Sequence, residues 1–148
     1  MKRFLLLCYL LFFTLAFSQE NDSIEDRKAE VERITSFHSD INVDKKSALN
    51  ITENINVHSL GINIKRGIYR ALPLSRNLNN KTQKVKYDII SVKKDGVEED
   101  YHTETGDGYL KIYVGNKDII LTPGDYKYEI QYKTENQIGF FDKYDEVY

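Results

Sequence analysis

The sequence predicts an all-β fold, an antiparallel immunoglobulin-like β-sandwich, and three observations carry that prediction. Apolar and polar side chains alternate with a period of two along several separate runs, the mark of half-buried strands. Turn-forming pairs, among them Asp95-Gly96, Asp107-Gly108 and Pro123-Gly124, divide those runs at short intervals. Beyond residue 18 no long stretch keeps a helical period, so six or more short strands point to a sandwich or barrel.

Residues 1–18, MKRFLLLCYLLFFTLAFS, stand apart from that pattern and read as a cleaved signal peptide. Lys2 and Arg3 form a basic start, Phe4 to Phe17 an apolar run, and Ala16 and Ser18 the small residues that precede cleavage before Gln19. The run is about fourteen residues long, short of the ~20 that a membrane-spanning helix requires. Cys8 sits inside this run rather than at its end, so it is not placed for lipidation. Residues 19–30 are polar and of mixed charge. Ser23 and Asp26 have capping chemistry, but the segment is too short to hold a helix unaided and reads as a flexible lead-in.

The β-domain is expected over 31–148. Phe37, Ile41 and Val43 share one parity and His38, Asp40 and Asn42 the other, which predicts a strand from about Ile34 to Val43. Asp44-Lys45-Lys46-Ser47 is a turn, and Leu49, Ile51, Ile55 and Val57 alternate after it, so the two runs form a hairpin. Only Glu53 breaks the inward row. Ser59 to Asn80 has no regular period and reads as a long loop containing GIYRALPLS. Strand character returns at Val85, Tyr87, Ile89 and Val92. Lys94-Asp95-Gly96 turns into a short polar strand from Val97 to His102, and Gly106-Asp107-Gly108 into Leu110, Ile112 and Val114. Pro123-Gly124 suits a type II turn. Tyr126, Tyr128, Ile130 and Tyr132 then alternate with Lys127, Glu129, Gln131 and Lys133, the cleanest strand in the chain. The Leu121-x-Pro123-Gly124-x-Tyr126 arrangement is similar to the tyrosine corner of immunoglobulin-like sandwiches.

Composition narrows the chemistry. The single cysteine leaves with the leader, so the mature chain has no disulfide, thiolate nucleophile or cysteine metal ligand. Its stability must come from burial, which a chain of this size supplies by covering roughly 68% of its unfolded surface. Without the leader, 19 basic and 23 acidic side chains remain, a net charge of −4. Lys45-Lys46 and Lys93-Lys94 read as solvated turns rather than a nucleic-acid-binding face. His38, His58 and His102 fall on different elements with no short ligand spacing, so neither metal nor cofactor is expected. No G-x-S-x-G elbow or phosphate loop is present.

Ile51-Thr52-Glu53-Asn54-Ile55, then Gly67-Ile68-Tyr69-Arg70 with Leu72-Pro73, and the late tyrosine-rich strand entered through Pro123-Gly124, together carry a family resemblance. Phe140-Phe141 and Asp145 to Tyr148 extend it, so it covers about Ile34 to Tyr148. The chain resembles the N-terminal extracytoplasmic domain of predicted bacterial membrane proteins, the domain of unknown function 2207 family. The resemblance implies a signal peptide, a β-rich domain outside the cytoplasm and later transmembrane helices. It further implies that this chain is truncated at its C-terminal end and misses a last strand. Membrane attachment would then run only through segments absent from these residues, and the missing strand would leave a sheet edge or core face bare.

Among individual residues, Glu53 lies on the inward parity and needs a partner if buried. Arg70 is the expected one, as a structural or binding pair. Tyr69 and Arg70 are also the residues a surface loop would present to a ligand, since both types are enriched in binding hot spots. The leading expectation is a non-enzymatic module exported to the periplasmic or extracellular face, binding or scaffolding an envelope protein or glycan. The alternative is a soluble, secreted carbohydrate- or peptide-binding module, for which the eleven tyrosines, one of them (Tyr9) in the leader, supply stacking surfaces, although several point inward. A hydrolase comes last.

Overall fold

The computed structural model of the protein describes residues 30–78 and 81–148. The signal peptide expected at 1–18 and all of the lead-in but Glu30 lie outside those residues. Among the described residues there is no helix, and the strands are β1 (Arg33–Val43), β2 (Leu49–Ser59), β3 (Ile68–Pro73), β4 (Ser75–Leu78), β5 (Lys81–Lys84) and β6 (Tyr87–Lys94). They continue with β7 (Val97–Glu98), β8 (Tyr101–Gly106), β9 (Tyr109–Val114), β10 (Gly124–Thr134), β11 (Ile138–Phe140) and β12 (Asp145–Val147). The all-β, antiparallel expectation holds.

Two sheets share one core. The larger has the order β1-β2-β10-β6-β7 and the smaller β3-β9-β8, with β4-β5 and β11-β12 as separate hairpins. Alternation drives the packing: Leu49, Ile51, Ile55 and Val57 of β2 and Tyr128, Ile130 and Tyr132 of β10 bury against Leu72 of β3 and Ile112 and Val114 of β9. A bulge in β6 explains its irregular period. Gln131 pairs with Ser91 but Tyr132 with Ile89, so Ile90 is the extra residue and both Ile89 and Val92 face inward.

Several turns are formed as the sequence predicts. Asp44 closes the β1–β2 hairpin by accepting the backbone N–H groups of Lys46 and Ala48 at 2.8 and 3.0 Å. Those two bonds hold its carboxyl below the ordinary aspartate range, against some desolvation. Asp95-Gly96 and Asp107-Gly108 each place two consecutive residues at positive φ, as two-residue hairpin turns require. Tyr126 donates to the Thr122 carbonyl at 2.7 Å, which makes the expected tyrosine corner.

Four expectations need correction. GIYRALP is not a loop: Ile68–Pro73 is strand β3, paired along its length with β9. The polar strand from Val97 to His102 is two strands, because the chain leaves the larger sheet after Glu98 and joins the smaller at Tyr101. Pro123-Gly124 makes no type II turn, since Gly124 has no left-handed φ and enters β10 opposite Ser59. Lys93 and Lys94 are not a solvated turn but the end of β6, ion-paired with Glu129 at 3.3 Å and Glu99 at 2.5 Å.

Candidate functional site

Three places concentrate polar chemistry, and the first is buried between the layers. Glu53 points inward from β2 and is only 2% exposed. Arg70, projecting from the facing strand β3, reaches it with a two-pronged contact: Nε to Oε2 at 2.7 Å and Nη2 to Oε1 at 2.9 Å. Tyr132 of β10 donates a third bond to Oε1 at 2.8 Å. The expected Glu53–Arg70 pair is therefore formed, and Tyr132 is a partner the sequence did not disclose. Arg70 also lies 5.7 Å from the centre of the Phe37 ring and donates to the Ala71 carbonyl at 3.0 Å. Burial raises the Tyr132 phenol pKa, and the adjacent Glu53 charge raises it further, so the hydroxyl stays a donor. Arg70 is raised in turn, chiefly by its bond to Glu53. This cluster neutralises itself internally.

The second place joins the start of the domain to the loop after β2. Glu32 accepts four backbone N–H groups: Leu60 and Ile62 on one oxygen at 2.8 and 2.9 Å, Asn63 and Ile64 on the other at 2.6 and 3.2 Å. Desolvation pushes its pKa up, but the four amides outweigh it and hold the carboxyl at about 2. No sequence signal marks this nest, because its donors are main-chain atoms.

The third place is a groove at the end of β9, on the solvent side of the smaller sheet. Gly67 and Gly115 cross there so closely that a Cβ on Gly67 would lie 1.8 Å from the Val114 carbonyl oxygen, and both hold positive φ. Only glycine fits either position. A cavity of about 250 Å³ opens over this crossing, walled by Tyr113 and flanked by Lys65, Arg66 and Lys117. A second cavity, of about 210 Å³, shares Gly115 and Lys117 with it and extends past Tyr101 and His102 to Asp100 and Asp118. The His102 and Tyr113 rings stack at 4.9 Å and 9°, and Tyr69 follows at 5.9 Å. Tyr69 thus stands outward at 66% exposure, whereas Arg70 turns inward, so the two do not form one presented surface.

The histidines occupy separate sites. His38 faces Asp40 at 3.3 Å on β1, His58 faces Asp125 at 2.6 Å on β2, and His102 lies 3.7 Å from Glu104 on β8. Among the described residues no group of three His, Cys, Asp or Glu side chains is arranged to hold a metal ion. Nor is any helix there long and apolar enough to cross a membrane.

Comparison with known proteins gives the chain its relatives. The Escherichia coli (strain K12) protein named uncharacterized protein YciQ is 33% identical over 133 residues, which is 89% of this chain and 21% of that protein. The chain therefore spans about a fifth of that relative's length. Among solved structures, native yeast LTA4 hydrolase aligns with a TM-score of 0.46 and 17% identity over 72% of this chain and 15% of its own. Native leukotriene A4 hydrolase from Saccharomyces cerevisiae aligns at 0.45 and 17%, over 76% of this chain and 15% of its own. These structural likenesses are partial and say nothing of activity. The family of the predicted membrane protein (DUF2207) N-terminal domain matches residues 33–148, the whole of the two-sheet unit from the start of β1. With its strands, its Ile51-Thr52-Glu53-Asn54-Ile55 run and its Gly67-to-Pro73 segment in place, the chain belongs to the DUF2207 N-terminal domain family of predicted membrane proteins.

Proposed function

We propose that residues 31–148 are an extracytoplasmic, non-enzymatic module of a membrane-anchored bacterial envelope protein, acting by binding or scaffolding. One observation carries the reading. The buried carboxylate on which acid–base chemistry would rest, Glu53, spends its lone pairs on Arg70 and Tyr132. What stays accessible is outward-facing: the Tyr69–Tyr113–His102 rings and the lysines and arginine of the groove. Such residues suit recognition of an envelope protein or glycan. The basic residues are too few, and too closely mixed with Asp100 and Asp118, to follow a nucleic-acid backbone. The leader supports export, and the family supports membrane attachment.

Fractionation of the native gene product tests the anchored form. It should sediment with membranes and survive a carbonate wash; recovery in the soluble periplasmic or culture fraction would replace it with the secreted-module reading. Binding is tested separately, by retention of the full exported chain on purified cell envelopes. Retention no greater than that of a charge-matched control protein would end the recognition role.

A further inference from the structure

We infer that the groove over the Gly67–Gly115 crossing is a binding site for an anionic sugar, a pyranose unit bearing a carboxylate or phosphate. This rests on the recognition role proposed above and gives it a location and a ligand class.

The argument begins with what the groove does not use internally. Lys65, Arg66 and Lys117 come from two segments fifty residues apart in sequence, and the glycine crossing brings them to one cavity. None of the three forms an ion pair among the described residues, whereas Lys93, Lys94, Lys111 and Lys133 all do. Three cations around about 250 Å³ repel one another and are balanced best by an anion placed between them.

The rest of the wall specifies more than a bare ion. Tyr113 lines the groove beside the cations, and its ring continues through the stack with His102 at 4.9 Å and through Tyr69 at 5.9 Å. An aromatic edge with an exposed neighbour offers the apolar face of a sugar ring a surface to rest on. On the far side of Lys117, Asp118 and Tyr101 line the adjoining space, where hydroxyl groups find an acceptor and a phenol. Asp100 is engaged there by Asn116 at 3.0 Å, which fixes that wall in place. The cations would take the acid, the rings would take the ring face, and the carboxylate and phenol would take hydroxyls. A free phosphate satisfies only the first of these, and a neutral sugar only the other two.

The test uses the full exported chain, labelled with nitrogen-15, and four probes: trigalacturonate, mannose 6-phosphate, maltotriose and inorganic phosphate. Trigalacturonate or mannose 6-phosphate should shift the Gly67 and Gly115 amide resonances, and the stronger of the two identifies the acidic group. Maltotriose and inorganic phosphate should bind about tenfold more weakly or not at all. Lys117→Glu and Tyr69→Ala, both at exposed positions, should each weaken the preferred probe about tenfold while leaving the thermal midpoint unchanged. Equal binding by inorganic phosphate would reduce the site to a plain anion patch, and equal binding by maltotriose would remove the anionic requirement; either overturns the inference. So would shifts confined to other residues, or no binding by any probe. Envelope retention separates the two levels: if both variants are retained as well as the parent chain, this site is wrong and the recognition role stands.

Discussion

Strands β1 and β10 flank β2 on opposite sides, and they are alike in most respects. Each is 11 residues long, each pairs antiparallel with β2 over nearly its full length, and each directs an alternating apolar row to the same face of the sheet. Their fates differ. The inner row of β10 is buried, while Phe37, Ile41 and Val43 of β1 are about half exposed. The cause lies in the opposite layer: the smaller sheet ends at β3, whose Arg70 meets Glu53 of β2, and among the described residues no strand of it extends over β1. Period-two patterning says which side chains face inward. Whether anything meets them there is decided by strands far away in sequence.

The sharpest way to probe the covered side is Arg70→Ala. It leaves the Glu53 carboxylate buried with only Tyr132 as a partner, and a loss of about 3–5 kcal/mol is expected in urea unfolding. A loss below about 1 kcal/mol would mean that water reaches Glu53 from the β1 side.

Next comes a matched pair across the β1–β2 ladder. Ile41 and Ile51 are direct partners, yet Ile41 is 52% exposed and Ile51 9%. Ile51→Ala should cost about 2–4 kcal/mol and Ile41→Ala less than about 1. Equal costs would show that something covers β1 in solution. Replacing Ile41 and Val43 by lysine should leave the thermal midpoint nearly unchanged and reduce concentration-dependent association, read by light scattering, because a long bare apolar edge invites pairing.

Smaller still is the contrast within β10 itself. Tyr132 donates to Glu53, but the Tyr128 hydroxyl is buried with no hydrogen-bond partner among the described residues. Tyr132→Phe should lose about 2 kcal/mol, and Tyr128→Phe should gain up to about 1. Calorimetry on the two variants decides the sign.

The least costly perturbation is acid. The folded-state pKa of Glu32, about 2, lies below its ordinary value, so its contribution to stability is complete above about pH 5. That contribution fades as the pH falls through about 4.5 toward 2, when the carboxyl takes up a proton and the amides of Leu60, Ile62, Asn63 and Ile64 lose their charged acceptor. Protection of those amides, measured as exchange relative to an unstructured peptide at the same pH, should fall over that window in the parent chain. In Glu32→Gln their protection should be lower and no longer vary with pH over that window.

Legibility followed the same division. Where alternation runs long, as at Leu49–Ser59 with Glu53 its one break and at Tyr126–Tyr132, strand and inward face are readable. β3 was hidden because its inner row carries Arg70 between Ile68 and Leu72, while Ala71 and Pro73 sit on the outer row, so polarity does not mark the faces. The Glu53–Arg70 pair was still readable, since a charge on an inward parity must find an opposite charge. Tyr132 reads as one more tyrosine of an alternating strand, because its hydroxyl partner lies on the neighbouring strand β2. The nest around Glu32 has main-chain donors and leaves no trace in residue types. The groove needed the fold itself, because Lys65-Arg66 and Lys117 meet only through the Gly67–Gly115 crossing.

The position of β10 bears on how the molecule comes into being. It lies at the centre of the larger sheet, between β2 and β6, although it is the last of the long strands. A chain emerging N-terminus first can close the β1–β2 hairpin early, but β2 and β6 have no ladder to share until residue 134 is free. Until then the apolar rows of both strands lack their central neighbour. Closure of the larger sheet thereby waits on a single late strand, which acts as its latch.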